Sequence, residues 1–170
     1  MNIIYHIIMK TLILIRHSKS SWKDHSLTDF NRPLNKRGKS DGPLMANYLK
    51  SKINKIDYLH SSSSIRTFET SKYFIGKIQY TKVEYDNSLY HSSASSILHL
   101  ISNYSENYQS AMVIAHNPGL TNLINKLINI SLDNFPTTGL AIIDFNCNFW
   151  GDIYFNNSRL VDIKFPKQLK

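Results

Sequence analysis

The chain has a single cysteine, Cys147, so no internal disulfide can brace it. At 170 residues it does not need one, because a domain of that size buries about two-thirds of its unfolded surface in one core. The lack of cysteine pairs is the usage expected of a reducing compartment, with the cytoplasm as default. No apolar run is long enough to span a bilayer. Residues 1–9 are apolar, but no basic stretch precedes them and no small-residue cleavage site follows before Arg16-His17, which argues against a signal peptide. Residues 1–8 are therefore expected to be a short extension of a domain that starts near Met9. Internal repeats and domain boundaries are missing too, so one domain over 1–170 is expected. Without HExxH, cysteine pairs or clustered carboxylates, neither a metal nor another cofactor is expected. Acidic residues are also in short supply, 12 against 20 Lys and Arg, giving a formal charge of +8. The basic residues are scattered, most densely over Arg32 to Lys39, with no RNP, zinc-knuckle or helix-turn-helix signature. The excess predicts attraction for anions and no nucleic-acid partner.

What the chain does have is a continuous apolar run, Thr11-Leu12-Ile13-Leu14-Ile15, that stops at Arg16-His17. Such a run without alternation reads as a central strand of a parallel sheet, buried on both faces. Ala111-Met112-Val113-Ile114-Ala115 repeats the pattern and ends at His116-Asn117-Pro118-Gly119. Between them, Asn35 reads as a helix N-cap, with Leu44, Met45, Tyr48 and Leu49 as an apolar face. Pro43 implies that this helix either starts late or is kinked. Ile56 to His60 reads as a second strand, Ser61 to Ser64 as a tight turn able to hold an anion, and Ile65 to Phe74 as the next helix. A weak strand at Val83 to Tyr85 and helices over Ser95 to Tyr104 and Leu120 to Ile128 follow, the last with proline in its first turn. A strand over Gly139 to Phe145 precedes a tail, Gly151 to Phe165, that reads as a hairpin turning at Asn156-Asn157-Ser158. The alternation predicts an α/β fold of three layers, a mostly parallel central sheet flanked by helices, with the last strands the candidates for antiparallel pairing.

Three predicted strands thus end in a cationic or imidazole group: Arg16-His17, Ser61 to Arg66, and His116. In one parallel sheet those ends converge on the edge where ligands bind. Two guanidiniums, two imidazoles and turn amides around one cavity suit a phosphoryl group, whose oxygens Arg grips bidentately. Among the other histidines, His6, His25, His60 and His99 read as surface or packed groups, and His91 as the one placed to neighbour the cavity.

The motifs Leu14-Ile15-Arg16-His17, Arg32-Pro33-Leu34-Asn35-Lys36-Arg37-Gly38, Ser63-Ser64-Ile65-Arg66-Thr67-Phe68-Glu69-Thr70 and Val113-Ile114-Ala115-His116-Asn117-Pro118-Gly119 occur in this order. In these the chain resembles the histidine phosphatase superfamily, with its phosphoglycerate mutase-like fold, and within it the short phosphohistidine phosphatases typified by SixA. The resemblance runs from about Met9 to Lys167. It implies that His17 is a nucleophile that is transiently phosphorylated, while Arg16, Arg66 and His116 bind the phosphoryl oxygens. Arg32, Ser63 and Asn117 are further candidates for substrate contacts. Ser18 stands where many members carry glycine or alanine, and Asn31 where close relatives often carry aspartate. The Glu-bearing acid motif of the larger phosphatases and mutases is missing after the third strand, leaving Asp29 and Asp86 as candidate general acids.

A poorly defined acid matters, because an alkoxide leaving group needs a proton worth about 10²–10⁴ in rate, whereas imidazole needs it less. The expected activity is therefore a phosphatase acting on phosphohistidine in a partner protein. The alternatives are a phosphatase or mutase for small phosphate esters such as sugar phosphates, and a non-catalytic module that binds phosphate or nucleic acid.

Overall fold

In a computed structural model that describes residues 9–170, six strands form one sheet in the order β3-β2-β4-β1-β5-β6. In chain order the elements are β1 (Lys10–Arg16), α1 (Lys36–Lys50), β2 (Lys55–Ser62), α2 (Ile65–Ile75), β3 (Gln79–Asp86), α3 (Ala94–Ser102), β4 (Ser110–Ala115), α4 (Gly119–Ile128), β5 (Leu140–Phe145) and β6 (Ser158–Lys164). The extension expected over residues 1–8 lies outside the described residues. β3, β2, β4 and β1 run parallel, and β5 and β6 are added antiparallel beside β1. The mostly parallel, three-layer α/β expectation therefore holds.

The unbroken apolar run of β1 follows from its place in the sheet. Leu12, Ile13, Leu14 and Ile15 are all fully buried, and alternate residues enter different layers. Leu12 and Leu14 join Val113, Leu120, Leu123 and Ile97 under α3 and α4, whereas Ile13 and Ile15 join Met45, Leu49, Phe74 and Met112 under α1 and α2. Covering both faces is what a parallel sheet requires.

Asn35 caps α1, its side chain accepting the Gly38 N–H at 2.9 Å. Pro43 lies mid-helix, which excludes the late start, and its missing N–H leaves the Lys39 carbonyl without an i+4 donor. Gly38 has a different task. A Cβ there would stand 2.2 Å from the carbonyl oxygen of Lys19, in the segment that follows β1 and borders the cavity described below. Backbone cannot yield as a flexible side chain would, so Gly38→Ala is expected to cost about 1–3 kcal/mol by overpacking, even against its gain in helix propensity. Chemical denaturation of the variant measures that loss.

Three local expectations are corrected. The tail is not a self-contained hairpin: β6 pairs with β5, and short 3-10 turns at Trp150–Asp152 and Phe155–Asn157 fill the connection. Trp150 is fully buried and donates its indole N–H to the Tyr108 carbonyl at 2.9 Å, so this stretch packs as core instead of pairing as a strand. Ser61 and Ser62 belong to β2, leaving Ser63 and Ser64 as the turn. Pro118 is the N-cap of α4 and not a first-turn residue. Among the described residues, no helix is long and apolar enough to cross a membrane.

Candidate active site

Register brings the predicted groups together. β1 and β4 pair in parallel with Arg16 opposite Ala115, so the next residues, His17 and His116, leave the sheet side by side. Their ring centroids lie 5.0 Å apart. On the other side of β4, Ser61 of β2 lies opposite Ile114, and α2 starts three residues after Ser62 with Arg66 in its first turn. The result is a cavity of about 250 Å³ at the carboxyl edge of the parallel strands, bordered by Arg16, His17, Arg66 and His116. A larger hollow of about 450 Å³ lies next to it, against Phe165, Pro166, Asp41 and Arg37, and shares Thr137 with it. That hollow contains no imidazole, so the chemistry belongs to the smaller cavity.

The tautomer of His17 is fixed by its neighbour. Nδ1 lies 2.8 Å from the Ser18 carbonyl, which can only accept, so Nδ1 carries the proton and Nε2 the lone pair. Burial, followed by the charges of Arg66, Arg16 and Arg32, pushes the imidazole down to about 3 against the opposing pull of that carbonyl. His17 is therefore neutral at physiological pH. His116 is neutral too: burial, then the neighbouring His17 and Arg66, lower its proton affinity strongly. Arg66 donates to its Nδ1 at 3.3 Å, so Nε2 holds the proton and donates it to the Ser62 hydroxyl at 2.9 Å.

The arginines are held from behind. Arg66, 3% exposed, donates to the Asp29 carboxylate at 2.9 Å and to the Asp29 backbone carbonyl. Arg32 is buried as well, donating to Asp29 at 2.6 Å, to Ser20 and to the Ser21 carbonyl, with its guanidinium 3.2 Å from the centroid of Trp22. Arg16 donates through Nη1 to Asn134 at 3.1 Å and to the Phe135 carbonyl at 2.7 Å, while its buried Nε has no hydrogen-bond partner among the described residues. Asn117 donates to the same two acceptors, and its own buried Oδ1 is unpartnered among the described residues. An anion entering the cavity would find these donors already placed, which lowers the reorganisation needed for a charged transition state.

Asp29 is the hub of this arrangement. Its carboxylate also accepts from Tyr90 at 2.7 Å and from His91 at 3.0 Å. Burial works against ionisation, but the bonds from His91, Tyr90 and Arg66 outweigh it and hold the carboxyl far below the usual carboxylate range. A group so held has no proton to give, which corrects the general-acid expectation for Asp29 while placing it in the site. Asp86 and Ser63 do not border the cavity. Asp86 accepts the Ser88 N–H at 2.7 Å and neighbours His60 at 3.2 Å, closing the turn after β3, while Ser63 sits 3.4 Å from Asn87. Strand alternation is the cause: Ser62 points at His116 and its successor points elsewhere. Arg32 and Asn117 do border the cavity, as expected. Ser20, Lys19 and Thr137 were not anticipated; for Lys19 and Ser20 the available signal was their position directly after Arg16-His17. Among the described residues, no group of three or more His, Cys, Asp or Glu is placed to hold a metal ion.

Paired imidazoles and preplaced guanidiniums at the carboxyl edge of such a sheet define, as a class, an α/β protein that handles phosphoryl groups. The chain belongs to the histidine phosphatase superfamily (branch 1), whose family model matches residues 12–95. It is 30% identical over 157 residues to an uncharacterised chloroplast protein of Arabidopsis thaliana, covering 86% of this chain and 72% of that one. Its fold is shared with a phosphohistidine phosphatase SixA from Agrobacterium tumefaciens at a TM-score of 0.79 and 24% identity, over 92% of this chain and 98% of that one. It is shared more distantly with a mycobacterial glucosyl-3-phosphoglycerate phosphatase at a TM-score of 0.64 and 12% identity, over 90% and 97% of the two chains.

Proposed function

We propose that the protein hydrolyses phosphohistidine on a partner protein through a covalent phosphoryl intermediate on His17. The observation that carries this reading is the Ser18 carbonyl on Nδ1 of His17, which leaves a neutral ring with a nucleophilic Nε2 in a cavity bordered by Arg16, Arg66 and His116. In the first step Nε2 attacks phosphorus, and the bond from phosphorus to the substrate's imidazole nitrogen breaks; the substrate ring, protonated on its other nitrogen, takes back the electron pair and leaves as neutral imidazole. The guanidiniums stabilise charge on the three equatorial oxygens. His17 keeps its Nδ1 proton, so the intermediate is a phosphoimidazolium with a good leaving group. Water then attacks phosphorus, the N–P electron pair returns to Nε2, and inorganic phosphate departs.

The substrate class follows from what Asp29 cannot do. With its carboxyl locked in the ionised form, no carboxylic acid is in place to protonate an alkoxide, and a departing imidazole is the leaving group that suffers least. The cavity, at about 250 Å³, is below the usual range of roughly 300–1,000 Å³ for small-molecule pockets. It accommodates a phosphoryl group and its bridging atom, while the body of a partner protein remains outside. The likeness to the glucosyl-3-phosphoglycerate phosphatase favours a second reading, a small phosphate ester.

Phosphate release from a phosphohistidine-bearing protein and from a sugar phosphate, at equal concentration, separates the two. Preference for the phosphoprotein by at least an order of magnitude in kcat/KM is expected. Preference for the ester would move the substrate class, and binding of both without release would make the chain a phosphate-binding module.

A further inference from the structure

The two-step displacement leaves one demand unmet: the water that attacks phospho-His17 must lose a proton as its oxygen bonds to phosphorus, whatever the substrate was. Most cavity groups cannot take it. Arg16, Arg32, Arg66 and Lys19 offer donors and no lone pair. His17 is phosphorylated at that stage, and both nitrogens of His116 are engaged, by Arg66 and Ser62. The Asp29 carboxylate is occupied by Arg32, Arg66, Tyr90 and His91, and the Ser20 hydroxyl accepts from Arg32.

His91 meets the demand. It borders the same cavity, its Nε2 lies 3.0 Å from Asp29, and its Nδ1 has no hydrogen-bond partner among the described residues. Because the carboxylate can only accept, Nε2 holds the proton and Nδ1 the lone pair. The ring is stacked on His116, with centroids 5.6 Å apart and planes within 6°, and packs against the Tyr90 ring at 4.2 Å. Its backbone is left-handed, φ 53°, a conformation that a non-glycine residue keeps only when its surroundings hold it there. An exposed histidine with no task has no need of a carboxylate anchor, a stacking partner and a strained backbone together.

We infer that His91 is the general base of the second step, taking the proton of the attacking water on Nδ1 while Asp29 orients the ring through Nε2. This rests on the reading of His17 as the phosphorylated nucleophile. The step balances: one water proton passes to His91, the water oxygen bonds to phosphorus, the N–P pair returns to His17 Nε2, and His91 later gives its proton to solvent. Asp29 then stabilises the imidazolium, as a carboxylate does behind a catalytic histidine.

The test is a rapid-mixing experiment on full-length protein with p-nitrophenyl phosphate, comparing wild type with His91→Asn, since asparagine tolerates the left-handed backbone. The expected result is an unchanged burst of p-nitrophenolate equal to the enzyme present. Steady-state turnover then falls about 10²–10⁴-fold, with phosphoryl label accumulating on His17. In His91→Gly, which opens space at the same backbone, added imidazole is expected to speed the slow phase. Wild-type turnover in His91→Asn, or slow turnover without accumulation of phosphoenzyme, overturns the base while leaving His17 as nucleophile. Turnover in either protein with no phosphoryl label on His17 overturns both.

Discussion

Replacing His17 by alanine is expected to reduce phosphate release to background, a fall on the order of 10⁴–10⁶, as loss of a covalent nucleophile does elsewhere. No neighbour can substitute. His116 is 5.0 Å away, but its Nε2 donates to Ser62 and its Nδ1 accepts from Arg66, so it has no free lone pair to offer phosphorus. The variant should fold, because among the described residues the one hydrogen bond of the His17 side chain is to the adjacent Ser18 carbonyl. An unchanged melting temperature with lost activity therefore marks a chemical role, and substantial turnover by His17→Ala would contradict it.

Arg66→Ala is expected to lower kcat/KM by about 10²–10³, the usual consequence of losing one preplaced donor from a charged transition state. Arg66 is almost completely buried and is aimed by the backbone and carboxylate of Asp29, so the cost of orienting it is met during folding. Arg66→Lys should recover only a small part, since an ammonium cannot supply two parallel donors from one plane. Asp29 keeps Arg32, Tyr90 and His91 in the alanine variant, which limits the structural damage to a modest loss of stability. Steady-state kinetics with a melting curve separate the two effects, and an Arg66→Ala enzyme within a few-fold of wild type would remove Arg66 from the phosphoryl site.

The groups that border the cavity from strand ends were legible in the sequence because local pattern determines where they sit. An apolar run that ends abruptly at Arg16-His17 or at His116 marks a buried strand and its carboxyl end without any knowledge of the partner strands. Asn35 was readable as a helix start for a similar reason, as its side chain satisfies a backbone donor three residues ahead. What could not be read depends on long-range placement. Asp29 looks like a loop carboxylate in sequence, and its role is set by Arg66 and Tyr90, contributed by distant parts of the chain. Thr137 borders the cavity and accepts from Arg37, a hundred residues earlier. The tail was misread because Trp150 and its turns follow the packing demands of a core that has no local period. Lys10 was likewise opaque: a lysine opening a strand is ordinarily exposed, yet here it is fully buried, donating to the Glu106 and Tyr108 carbonyls.

The most direct test of the central claim is to mix the enzyme with a phosphoryl donor carrying labelled phosphorus, quench in alkali, where an N–P bond survives, and map the label by peptide. One phosphoryl group per chain is expected at most, on the peptide containing His17 and absent from His17→Ala. Phosphate release by the wild type without such a label, or a label that persists in His17→Ala, would contradict a covalent intermediate on His17.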